Sequence, residues 1–270
     1  MSLSDLSKQL DNRKQTSTKE QPYAMGRQTV RKARTDLTNK DFEASIKLKT
    51  MPAVKWLEVQ FPPVFVEEIN QYIDDVVIPN NKDYSNKLVG QLKGEKSAQL
   101  DFPLKGNETG EQFKKVLENL GMSFVQKPYN RLSSVECFEC WTVHSYEGDY
   151  NPVHDHGVKT QSGLSCILYL KVPDSIKNKP QIEVPNLNSA SGEIDGWTQF
   201  QWGANTMKDI YQLREQTQHV VRPVEGKLLM FPCWLNHMVW PFRGEGERRT
   251  LSANFNIHDS PEVTKQFAER

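Results

Sequence analysis

VECFECWTVHSYE at 135–147 and GLSCILYLKV at 163–172 decide the fold. The first is rich in β-branched and aromatic residues and the second in apolar ones, and neither keeps the period of an amphipathic helix. GWTQFQWG (196–203), HVVRPVEGKLLMFP (219–232), HMVWPF (237–242) and RTLSANFNI (249–257) follow in the same style, nearly all bounded by Gly, Pro, Asn or Asp. Six or more short strands with no long helix between them predict a sandwich or barrel of jelly-roll type.

Upstream the pattern is different. VKWLEVQ (54–60) reads as a short strand, followed by a helix that Pro62 and Pro63 open, with Val66, Ile69, Ile73 and Val76/Val77 at helical spacing and Asn80 and Asn81 as its stop. A second helix is expected from Gly110 to Leu120, ended by Gly121. These helices are read as a layer on one outer face of the β core. Residues 1–45 are rich in Gln, Thr, Ser, Lys and Arg and read as a flexible basic arm, leaving 46–270 as a single domain with its jelly-roll core at about 135–258. Residues 173–217 are long and polar, with a short helix expected at Met207–Leu213 and the placement of a rim or lid.

Composition narrows the classes. The 270 residues carry 34 basic and 34 acidic side chains, and 37% are hydrophobic, which suits a globular domain. Residues 1–50 hold 11 of the basic and 6 of the acidic groups, so a tail of +5 precedes a body of −5. The run RQTVRKAR (27–34) has no interleaved aromatics, and an arm with no phosphate-backbone contact is the preferred reading. No apolar run fits a signal peptide or a membrane span, and four cysteines are too few for a disulfide scaffold, so a cytoplasmic protein is expected.

Three of the six histidines stand in two places: His154 and His156 in YNPVHDHG, and His237 in FPCWLNHMVWP. In a strand, positions i and i+2 share a face, so His154 and His156 can point at one metal while Asp155 points away. A third ligand from a distant strand completes a facial set with open coordination positions, as oxygen chemistry at non-heme iron requires. The competing reading is ordinary: surface or core histidines bonded to backbone. Twelve residues after His237, Arg249 opens a strand on the face of Leu251, Ala253 and Phe255. A cation in an apolar barrel calls for an acid partner, and a ligand carboxylate suits it, with Tyr169 placed to add a hydroxyl.

SYEGDYNPVHDHG, LSCILYL, GKLLMFPCWLNHMVWP and RRTLSANFN, in that order, resemble the iron(II)/2-oxoglutarate-dependent oxygenases of the prolyl-hydroxylase-like branch, over roughly residues 135–258. The resemblance implies a double-stranded β-helix, iron and 2-oxoglutarate as cofactors, dioxygen as co-reactant, and hydroxylation of a protein side chain or a small molecule. It implies His154 and His237 as iron ligands, Arg249 and Tyr169 on the far carboxylate of 2-oxoglutarate, and Tyr146 lining that pocket. The family has Asp or Glu where this chain has His156. The metal then sees three imidazoles, or two with water, and neutral ligands suit copper and zinc as well as iron. Asp155 takes the acid's place only if the strand bulges.

Other residues have weaker claims. Arg248 replaces Arg249 if the register shifts by one. His144 shares a strand face with Tyr146 and lines the pocket or the core. Asn254 bonds a substrate or caps a turn. Cys137 and Cys140 form a CxxC whose members face opposite sides of a regular strand and have no second pair, which argues against zinc. Two alternatives from other classes stay open: a cupin-like metal-binding protein without oxygenase turnover, and a nucleic-acid-associated factor using the arm.

Overall fold

Alternation along β5 (Gly163–Lys171) shows how the molecule is layered. Ile167 and Tyr169 point to one buried cluster, while Leu168 and Leu170 point to another. A strand covered on both faces reads as a continuous apolar run, which is why GLSCILYLKV lacks a period of two. The computed structural model describes residues 54–129, 131–179, 192–203 and 217–268. The basic arm and the expected helix at Met207–Leu213 lie outside the described residues.

A six-stranded antiparallel sheet has the order β1 (Leu57–Gln60), β8 (Lys227–Pro232), β5, β10 (Arg248–Asp259), β3 (Ser133–Ser145) and β2 (Ala98–Asp101). A four-stranded sheet has the order β4 (Asn151–His154), β9 (Asn236–Val239), β6 (Thr198–Gln201) and β7 (Gln218–Val221). The two sheets form the jelly roll. Ile167, Tyr169, Leu229 and Phe231 of the larger sheet meet Trp197, Phe200 and Val221 of the smaller side between them.

The helices cover the other face of the larger sheet. Helix α1 (Pro63–Tyr72) runs on through a π-helical stretch, Ile73–Val77, before Asn81 ends it with a left-handed backbone. Helix α2 spans Glu108–Tyr129, so Gly121 does not stop it. Gly121 instead marks a close approach: a Cβ there would stand 2.7 Å from Val135 Cγ1 on β3. Phe65, Ile69, Phe113, Val116 and Leu117 pack from these helices onto Leu168, Leu251, Ala253 and Phe255.

Two irregularities in pairing matter. Against β3, the register of β10 shifts between Asn254 and Phe255, which pair with Glu139 and Cys137 and leave Phe138 as the extra residue. Such a bulge reverses the side-chain alternation, so Cys137 and Cys140 share the buried helix-covered face rather than opposing each other. The second shift lies in β4: Asn151 pairs with Val239 and His154 with His237, three positions against two.

Candidate metal and cosubstrate site

His154, His156 and His237 converge. One ligand nitrogen from each lies within 4.8 Å of the others, and this is the metal-capable cluster found among the described residues. His154 ends β4, His237 sits opposite it on β9, and His156 follows in a loop that its backbone N–H ties to the Cys233 carbonyl at 3.0 Å. Phe200 and Phe231 pack against the His237 ring, and Trp141 against His156.

Backbone contacts orient the rings. Nδ1–H of His237 donates to the Leu235 carbonyl at 3.0 Å and Nδ1–H of His154 to the Pro152 carbonyl at 2.7 Å, which turns both Nε2 lone pairs inward. His156 Nε2 and His237 Nε2 are 3.2 Å apart. Two donors at right angles on metal bonds of about 2.1 Å are about 3 Å apart, so the spacing fits a shared first-row metal. Charge fits too. Burial lowers the pKa of all three, that of His156 to about 4 with His154 contributing, and keeps them as the neutral imidazoles a metal needs.

The histidines stand in a cavity of about 340 Å³ between the two sheets, whose walls include Trp141, Ser145, Arg248, Thr250, Ser252 and Asn254. That volume lies within the usual range of small-molecule sites, about 300–1,000 Å³. Arg248 is 2% exposed. Its Nε–H donates to the Gly196 carbonyl at 3.0 Å, its guanidinium lies 5.4 Å from the Tyr169 ring centre, and Nη2 has no hydrogen-bond partner among the described residues. Burial pulls its pKa down, with no carboxylate to offset it. A buried guanidinium with a free donor on a cavity wall is built for an anionic ligand.

Several expected positions require correction. Arg249 faces the helices, where Glu247 and Asp74 bind it at 2.8 and 2.7 Å and Asn70 accepts a further bond. Its neighbours Leu251, Ala253 and Phe255 share that face, and they serve the helix–sheet core rather than the barrel interior. The interior face of β10 is the polar one, Arg248, Thr250, Ser252 and Asn254. His144 likewise points outward, bonded to Thr142 and to Glu247 at 2.7 Å. Tyr146 is not among the cavity-lining residues, and its phenol is raised by burial and by Glu247 on the outer side. Tyr169 does face the interior, with its hydroxyl donating to Thr198 at 2.7 Å. Asp155 reaches the cavity rim, exposed, and Asn254 sits in the wall, accepting from Ser165 and donating to Glu139.

One wall had no signal in the sequence. Residues 82–97, with little regular structure, cross the cavity as a strap that contributes Tyr84, Leu88, Val89 and Leu92. Bridges Asp83–Leu100 and Gln91–Tyr150 hold it, and buried Asp149 accepts from Lys93 N–H, Ser97 and Tyr146 N–H. Tyr84 stacks on Trp141, and Tyr84, Lys87 and Asn254 all donate to Glu139, lowering its pKa against the burial that would raise it.

Residues 139–254 match the family model described as putative 2OG-Fe(II) oxygenase. A search of curated proteins found no match. Similar solved structures include a Pseudomonas putida prolyl-4-hydroxylase, 14% identical over 76% of this chain and 92% of that one, with a TM-score of 0.47. HygX from Streptomyces hygroscopicus, solved with nickel and 2-oxoglutarate, is 12% identical over 76% and 83%, TM-score 0.45. The carbocyclase SnoK from nogalamycin biosynthesis is 10% identical over 81% and 87%, TM-score 0.50, and shares the fold. The histidine cluster and Arg248 both lie within residues 139–254, the segment that is similar to the 2OG-Fe(II) oxygenase family.

Proposed function

We propose that His154, His156 and His237 hold the iron and that Arg248 receives the far carboxylate of 2-oxoglutarate, in a hydroxylase acting on a protein side chain or a small molecule. The observation that carries this reading is the free Nη2 of buried Arg248 on the wall of the cavity that contains the histidines. Bound iron supplies the positions at which 2-oxoglutarate and dioxygen meet, and the overall reaction turns them and a C–H substrate into succinate, carbon dioxide and a hydroxylated product.

The chain's own contribution is binding and exclusion. Arg248 pairs with a carboxylate through two guanidinium nitrogens while Nε keeps its bond to Gly196. Tyr169, buried beneath the guanidinium, fixes its plane. Phe200 and Phe231 keep water from the far side of His237. The Tyr84–Trp141 stack forms an apolar wall on which an organic substrate packs near the metal.

A cupin-like protein without turnover is not favoured, because such a module has no need of an underpaired arginine in its cavity. No helix among the described residues is long and apolar enough to cross a membrane. The four cysteines are buried free thiols, which supports a reducing, cytoplasmic setting. The test is succinate release from 2-oxoglutarate by the iron-loaded chain in the presence of dioxygen. Release that disappears in Arg248→Ala and in His237→Ala supports the reading; no release from the parent, even with a panel of peptide and small-molecule substrates, overturns it.

A further inference from the structure

The aromatic rings packed on the histidine cluster differ in what they can lose. Phe200 and Phe231 cover His237, and a phenyl ring is among the side chains hardest to oxidise. Trp141 lies against His156, with 5.8 Å between ring centres, and an indole gives up an electron far more readily. Behind Trp141, Tyr84 of the strap stacks at 5.4 Å and 19°. His156, Trp141 and Tyr84 therefore make one unbroken run of rings. It leads from the metal position through a buried indole to a half-buried phenol beside Lys87, whose side chain is 59% exposed.

The outer end of the run is equipped to release a proton. Tyr84 donates its O–H to the Glu139 carboxylate, while Lys87 Nζ donates to the phenol oxygen at 3.1 Å and to Glu139 at 2.7 Å. Burial and Glu139 push the phenol up to about 12, so it keeps its proton until an electron is taken from it. Although burial works against its charge, Lys87, Tyr84 and Asn254 keep Glu139 ionised and able to accept. An oxidised phenol is a far stronger acid than a carboxyl group, so the proton crosses this hydrogen bond as the electron leaves. Tyr169 also faces the interior, but its hydroxyl donates to Thr198, which is no base, and the Arg248 guanidinium stands over its ring. Losing an electron there would set one cation beside another.

We infer that Tyr84 and Trp141 form an electron relay between the metal site and the surface, with Glu139 as its proton acceptor, which discharges the site when it turns over without substrate. The inference rests on the reading of the three histidines as the iron site. Reaction of 2-oxoglutarate with dioxygen gives succinate and carbon dioxide and leaves one oxygen atom to be spent. A substrate C–H bond takes it up in productive turnover. Without substrate, two electrons and two protons are needed to turn that atom into water and restore iron(II). Each electron leaves Tyr84 and passes through Trp141 and the His156 ring, the phenol O–H bond breaks, and its proton goes to Glu139 and on to solvent, while solvent supplies one proton at the metal. A thiol then returns a hydrogen atom to the Tyr84 radical. Over two rounds, two thiols become one disulfide and the oxygen atom becomes water.

The experiment mixes the iron(II)-loaded full chain and 2-oxoglutarate with dioxygen, without primary substrate or thiol, and freezes the samples at short times for electron paramagnetic resonance, with succinate assayed in each. The parent is expected to release succinate and to show an organic radical whose hyperfine splitting collapses when its tyrosines are ring-deuterated. Tyr84→Phe, which keeps the stack and removes only the hydroxyl, should lose that tyrosyl signal, and Trp141→Phe should lose it by breaking the run. Adding a thiol such as glutathione to the parent should extinguish it. A parent that releases succinate with no tyrosyl radical overturns the relay and leaves the oxygenase reading standing, as does an undiminished tyrosyl signal in Tyr84→Phe. No succinate from the parent overturns both. Should Tyr84→Phe fail to fold, 3-fluorotyrosine placed at position 84 decides: fluorine splitting on the radical supports the relay, and its absence overturns it.

Discussion

Arg248 and Arg249 are neighbours on one strand, each 2% exposed, and their surroundings are opposite. Arg249, under the helices, has Glu247, Asp74 and Asn70, and although burial works against its charge these partners raise its pKa. Arg248, in the cavity, has one backbone carbonyl and a free nitrogen, and its pKa is lowered. A buried cation that is fully paired is part of the scaffold. One left short of partners is kept for a ligand, because nothing in the fold alone repays its desolvation. The comparison therefore separates structure from function between two adjacent residues of the same type.

That separation predicts the largest effect at the paired residue. Arg249→Ala should destabilise the fold by about 3–5 kcal/mol, since it breaks a buried ion pair and takes from Glu247 the guanidinium that contacts both its oxygens, whereas Arg248→Met should leave stability nearly unchanged or higher. Chemical denaturation measures both, and equal losses would mean that Arg248 has structural partners after all. Glu247→Gln should cost about 1–3 kcal/mol while sparing cosubstrate affinity, because its bonds go to His144, Arg249 and Lys171 on the helix side.

The same carboxylate sharpens the comparison through pH. Burial opposes its charge, but His144 and Arg249 hold its pKa down to about 2, below the ordinary 4.5. A depressed carboxylate contributes stability that is complete above about 4.5 and is lost as pH falls toward 2. Acid unfolding in that window should be shallower in Glu247→Gln, and an unchanged profile would remove Glu247 from the account. The smallest effect is expected at Gly121→Ala: crowding against Val135, partly offset by better helix propensity, gives a loss of about 1 kcal/mol with no change in metal or cosubstrate binding.

The histidine cluster was legible because its members stand in two short segments, HxH and FPCWLNH after an apolar strand, although His156 reaches it from the loop after β4 and not from a shared strand face. The jelly roll was legible because short apolar segments recur between turn residues. The arginine was misread for a physical reason. Leu251, Ala253 and Phe255 mark the buried face of β10, but β10 is buried on both sides, and the more apolar side belongs to the helices, while a cavity for a diacid must be lined by polar groups. A bulge defeated parity at Cys137/Cys140, since one inserted residue is invisible in the pattern it shifts. The strap at 82–97 could not be read at all: it has almost no periodicity, and its placement depends on long-range bonds to Asp149 and Tyr150.

The central claim is tested most directly by titrating 2-oxoglutarate, without dioxygen, into the iron(II)-loaded parent, Arg248→Ala and Arg249→Ala chains. Loss of one side of a buried charge-assisted pair should weaken binding by about 2–5 kcal/mol in Arg248→Ala, while a folded Arg249→Ala stays close to the parent. Parent-like affinity in Arg248→Ala, or a comparable loss in Arg249→Ala, would contradict the assignment of the cavity arginine as the cosubstrate anchor.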